Sequence, residues 1–136
     1  MPQRIGRALA YALLIWITGF VWGSVVFMTP ALKNVGGIAF VSRYPAISFP
    51  LLFAWPIFAY LLARSYLKQT SGDRAAEGLK LGFIFAFVNF LLDLLVLVFL
   101  FKNGFAFFAY LTIWLAYFIL LIVPWLTGRS LASATR

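Results

Sequence analysis

The sequence predicts an all-α fold, a four-transmembrane-helix bundle with both termini cytoplasmic, and three observations carry that expectation. The first is composition. Of 136 residues, 65% are hydrophobic and only 10% are charged, whereas a soluble domain is about 45–50% apolar and about 25% charged. A soluble fold of this size would lack the polar side chains to cover its surface, and lipid is the solvent that matches. The second is arrangement: the apolar residues fall into four runs, each near the length of about 20 residues that crosses a hydrocarbon core of ~30 Å. The third is the uneven placement of the basic side chains between those runs.

The first run, 8–28, holds 21 residues without a charge. Arg4 and Arg7 precede it, as basic residues precede a signal peptide. The run is too long for that, contains Trp16 and Trp22, and is followed by no A-x-A cleavage site, so it reads as a retained helix. A connection rich in turn formers follows, with Pro30, Gly36 and Gly37. The second run, 45–63, carries Pro45, Pro50 and Pro56. Pro45 suits a helix start. The other two each remove a backbone donor, so this helix is expected to bend. Residues 64–80 form the most polar segment, with Ser71-Gly72-Asp73 as its turn signal. The third run is 81–101, Lys102-Asn103-Gly104 reads as a tight turn, and the fourth run is 105–126. A polar tail completes the chain, which makes one integral membrane domain spanning 1–136.

Orientation follows from counting Lys and Arg. Arg4, Arg7, Arg64, Lys68, Arg74, Lys80, Arg129 and Arg136 fall on one side, eight in all, against Lys33, Arg43 and Lys102 on the other. An excess of Lys and Arg in short loops marks the cytoplasmic face, which places both termini and the middle connection inside. The expected location is a multi-pass position in a cytoplasmic membrane of bacterial type. The net charge of +8 is confined to tails and connections. That pattern fits topology signals and anionic headgroups, so no nucleic acid is expected as a partner. The partners expected are the lipid bilayer itself and either a second copy of the chain or another membrane protein. Cysteine and histidine are absent, which removes disulfides, thiol chemistry, Cys/His zinc sites and His-ligated haem. No cofactor and no metal are expected.

Lipid supplies no hydrophobic drive between helices, so close packing relies on small residues and polar bonds. Each run carries a small stripe at helical spacing: Ala8, Ala12, Gly19 and Gly23; Ser48, Pro56, Ala59 and Ala63; Gly78, Gly82 and Ala86; and Ala109, Thr112 and Ala116. The helix-packing residues expected from these stripes are Gly19, Gly23, Gly78, Gly82 and Ala86. Gly19 and Gly23 form a G-x-x-x-G, which serves packing within one bundle or a dimer.

The third stripe continues into Asn89 and Asp93. Asp93 is the thirteenth of 21 residues in its run, near mid-membrane, where an aspartate costs about 2.5–3.5 kcal/mol on insertion scales. Asn89 lies one turn before it on the same face and is placed to donate to it. Two readings stand side by side. In one, Asp93 and Asn89 bind a proton or a cation in a transport path. In the other, Asp93 is a hydrogen-bonded strut between helices that accepts from Trp55 or Trp114. The chain has three acids in total and no basic residue within an apolar run, so neither a second acid nor a basic partner accompanies Asp93. Asp73 and Glu77 lack metal-site company. Arg43-Tyr44-Pro45 reads as an interfacial anchor. The serines and threonines find no histidine base, and every lysine lies outside the runs, so catalysis is not expected. The reading that results is a non-catalytic accessory or helix-packing membrane protein. The alternative is a small proton- or cation-coupled transporter or channel using Asp93.

Overall fold

A computed structural model of the chain describes residues 2–33, 45–102 and 104–134. The helices are α1 (Pro2–Met28), a one-turn α2 (Pro30–Lys33), α3 (Pro45–Leu67), α4 (Arg74–Leu92) and α5 (Leu111–Ser133). α4 runs on without a break as a π-helical segment, Asp93–Leu100, and a 3-10 turn, Phe105–Ala109, leads into α5. Four of these stretches are long and apolar enough to cross a membrane: Arg4–Met28, Ile47–Leu67, Arg74–Leu100 and Leu111–Ser133. No strand occurs among the described residues. The fold is therefore an all-helical bundle of a multi-pass membrane protein. Gly36, Gly37, Arg43, Tyr44, Asn103 and Arg136 lie outside the described residues, and with them the anchor read at Arg43-Tyr44.

The helices overrun the apolar runs at the polar ends, for a physical reason. A charge marks where hydrocarbon stops, whereas the backbone keeps its hydrogen bonds until a cap or turn stops it. α1 thus takes in Arg4 and Arg7. α4 begins at Arg74, not at 81, because the Asp73 carboxylate accepts from the Ala75 and Ala76 amides and caps it. The polar connection read as 64–80 shrinks to the few residues between Leu67 and Arg74. At the opposite end the fourth run starts differently. Phe105–Ala109 is a 3-10 turn, entered through Lys102 (φ 54°) and Gly104 (φ 73°). α5 continues through Pro124 to Ser133, beyond the expected end at 126. Ala109, expected on the inward stripe, is exposed on that turn.

The bundle core contains Ala8, Ala12 and Ile15 of α1, Trp55, Ala59 and Ala63 of α3, Leu81 and Phe85 of α4, and Ile113, Ala116 and Leu120 of α5. Large apolar side chains such as Phe53, Phe83, Phe87 and Phe118 point outward, as lipid-facing positions do. α4 and α5 approach to backbone contact. A Cβ on Gly78 would meet the Pro124 carbonyl, one on Gly82 the Leu121 main chain, and one on Gly128 the main chain of Arg74 and Ala75. Ala86, one turn beyond Gly82, is half-buried. On α1, Gly19 lies under the Trp55 ring, where a Cβ would stand 3.1 Å from Cζ2. Gly23 has nothing within 4 Å of the same position, so the two glycines of the G-x-x-x-G are not equivalent.

The start of α1, the α3–α4 connection and the end of α5 meet at one end of the bundle. An Arg4 guanidinium N–H donates to the Gln69 carbonyl at 2.7 Å, and one from Arg74 donates to the Leu131 carbonyl at 3.1 Å. The second of these bonds falls on a carbonyl of the last turn of α5.

Candidate functional site

The buried polar groups converge on two residues of α4 and its continuation. Asp93 opens the π-helical segment and is 5% exposed. Its Oδ1 accepts from the Trp16 indole N–H of α1 at 2.9 Å, and its Oδ2 accepts from the Tyr117 hydroxyl of α5. One carboxylate therefore ties three helices. The segment it opens is π-helical, as the Phe101 amide donation to Val96, five residues back, shows. Such wide turns often mark functional sites.

Asn89, one turn earlier, is fully buried. Its Nδ2 donates to the Ala12 carbonyl of α1 at 3.1 Å and to the Phe85 carbonyl of its own helix at 2.9 Å. Those two acceptors fix the amide, because the reversed orientation would set Oδ1 against two carbonyl oxygens. Asn89 Oδ1 is left buried without a partner. The donation from Asn89 to Asp93 expected from their spacing is therefore absent: both amide hydrogens are used on carbonyls instead.

The same two residues make a ladder. Asn89 meets Ala12 and Asp93 meets Trp16, and both pairs are 77 positions apart. α1 and α4 therefore run parallel and in register, with two polar rungs one turn apart. The indoles proposed from sequence as Asp93 partners go elsewhere. Trp55 donates to Thr18 Oγ1 at 3.2 Å. Trp114 is 49% exposed and turns its N–H back to the Phe108 carbonyl at 2.8 Å. A lipid-facing indole has few acceptors beyond the backbone of the preceding turn. Trp16 entered the sequence reading only as a residue that argues against a signal peptide, and Tyr117 carried no sequence signal for this role.

Rings hold the Tyr117 hydroxyl in place. Trp114 and Phe90 each stand edge-on to Tyr117 at 5.9 Å, and Phe108 packs on Phe90 at 5.3 Å. Trp16 stacks on Phe20 at 5.2 Å. Both donors to Asp93 are thus set by packing around them. A second set of bonds joins α1 to α3: the Trp22 indole donates to the Ile47 carbonyl at 2.8 Å, and Tyr11 and Ser65 share a hydroxyl bond at 3.3 Å.

No protein-family model, curated protein or solved structure matches this chain. The residues themselves carry the functional argument. Chemically, the site offers one carboxylate, two neutral donors and one amide carbonyl. Among the described residues, no group of three or more His, Cys, Asp or Glu side chains comes together as a metal site would need. Neutral donors on both carboxylate oxygens make a strong interhelical joint, each bond contributing about 0.6–2 kcal/mol within a membrane.

Proposed function

We propose that this chain is a non-catalytic accessory or helix-packing protein of the membrane, inserted with both termini cytoplasmic. In this reading Asp93 is the joint that fixes the order of its helices. The observation that carries the reading is that both Asp93 oxygens accept from side chains of other helices, Trp16 on α1 and Tyr117 on α5. A carboxylate engaged on both sides by packed aromatic residues works as a strut, since a transport ligand must give up its partners in each cycle. The excess of basic residues, eight against three, supports the orientation. Purified protein in proteoliposomes is expected to pass no protons or monovalent cations above the level of empty vesicles. A flux that disappears in Asp93→Asn would overturn the proposal.

One observation favours the second reading, a small proton- or cation-coupled transporter. Asn89 Oδ1 is buried without a donor one turn from Asp93, at the point where α4 widens into its π segment. A buried unsatisfied acceptor costs about 1–3 kcal/mol, and transport sites tolerate that cost. The same flux measurement separates the two readings.

A further inference from the structure

At the end of the bundle where α1 begins, two guanidinium groups converge on one glutamine. Arg4 donates to the Gln69 main-chain carbonyl at 2.7 Å. Arg7 donates to Gln69 Oε1 at 2.6 Å and, more weakly, to the Tyr66 carbonyl at 3.5 Å. The Arg7 guanidinium lies over the Tyr11 ring at 5.9 Å and the Tyr66 ring at 5.4 Å, and its Nε–H is buried without an acceptor. Two cations therefore stand side by side, held by neutral oxygens and aromatic faces.

The chain has three acidic side chains, and each is engaged elsewhere. Asp73 caps α4, Glu77 pairs with Lys80 at 2.8 Å, and Asp93 lies between α1, α4 and α5. The first turn of α1 contains no acid, so the partial positive charge of a helix start adds to Arg4 and Arg7 instead of being offset. Among the described residues the oxygens that these two cations bond are neutral and take three of their N–H groups, so terminal guanidinium N–H groups remain for an anion. Its depth sets the kind of anion. Arg4 and Arg7 immediately precede the uncharged run 8–28, and Tyr11 and Tyr66 are ring bodies of the type found at headgroup level.

We propose that Arg4 and Arg7, set by Gln69 and Tyr66, form a binding site for the phosphate of an anionic phospholipid headgroup between α1 and α3. The planar forks of two arginines match phosphate oxygens, and the tyrosine rings border the glycerol region. This site is independent of the role assigned to Asp93.

The test uses the full chain in neutral detergent, titrated with phosphatidylglycerol or with phosphatidylcholine. Melting temperature and the lipid retained in native mass spectrometry are the readouts. Phosphatidylglycerol is expected to raise the melting temperature and remain bound where phosphatidylcholine does neither. The double variant Arg4→Gln/Arg7→Gln should bind phosphatidylglycerol about 30-fold more weakly, the effect of two interfacial cations. Arg64→Gln/Arg129→Gln removes the same charge from the same end and should stay within about threefold of wild type. Three results would each overturn the proposal: wild type showing no preference between the lipids, the two double variants losing equally, or inorganic phosphate at matched concentration reproducing the whole shift. The first and third comparisons need only the wild-type chain, so they decide the matter even if a double variant fails to fold.

Discussion

The two seams along α4 are built by opposite means. Toward α5, Gly78 and Gly82 meet the main chain around Pro124 and Leu121, and Gly128 meets that of Arg74 and Ala75. The helices there touch backbone to backbone, and dispersion between closely set main chains does the work. Toward α1, Asn89 and Asp93 reach across to Ala12 and Trp16 through hydrogen bonds. In water both seams would lean on the hydrophobic effect. In lipid neither can, and α4 uses the two remaining means, close approach on one flank and polar bonds on the other. Tyr117 bridges them: it belongs to α5, yet it bonds to the carboxylate that holds α1.

The two seams should fail differently. Gly82→Leu is expected to have the largest effect, a loss of about 3 kcal/mol or more, because the new side chain meets fixed backbone. Chemical or thermal unfolding in detergent reads this, and a variant as stable as wild type would mean the α4–α5 seam is looser than described. Asp93→Leu comes next, at about 2–4 kcal/mol, since it strands the Trp16 N–H and the Tyr117 O–H. Tyr117→Phe removes one donor and should cost about 1 kcal/mol by the same measurement, with the helix content of circular dichroism unchanged. The smallest effect sharpens the comparison on α1. Gly19→Ala presses on the Trp55 ring and should destabilise measurably, by roughly 0.5–1.5 kcal/mol. Gly23→Ala, with open space around it, should be neutral to slightly stabilising, by up to about 1 kcal/mol. If the two alanines behave alike, Gly19 is not held by Trp55.

How much of this was legible in the sequence depended on the distance over which each cause acts. The four spans could be read because hydropathy over about 20 residues is a local property. Gly78 and Gly82 stood out as a small stripe, but Gly128 did not, since it lay in what reads as a polar tail and only the extended α5 brings it to Arg74. Phe105–Ala109 looked like the start of a helix because five apolar residues with no breaker say nothing about 3-10 winding. The π segment likewise leaves no mark in Asp93–Leu100, which is uniformly apolar after its first residue. Asp93 was visible from its cost alone. Its partners were not, because choosing Trp16 over Trp55 or Trp114 requires the parallel register of α1 and α4, a property of the assembled bundle.

The central claim, that Asp93 holds α1 to α4, is tested most directly by a double-mutant cycle on the melting of the detergent-solubilised protein. Trp16→Phe would be compared in the wild-type background and in Asp93→Leu. A joint between the two side chains predicts a loss of about 1 kcal/mol for Trp16→Phe in the first background and almost none in the second. Equal losses in both backgrounds, or an Asp93→Leu protein that melts at or above wild type, would contradict it.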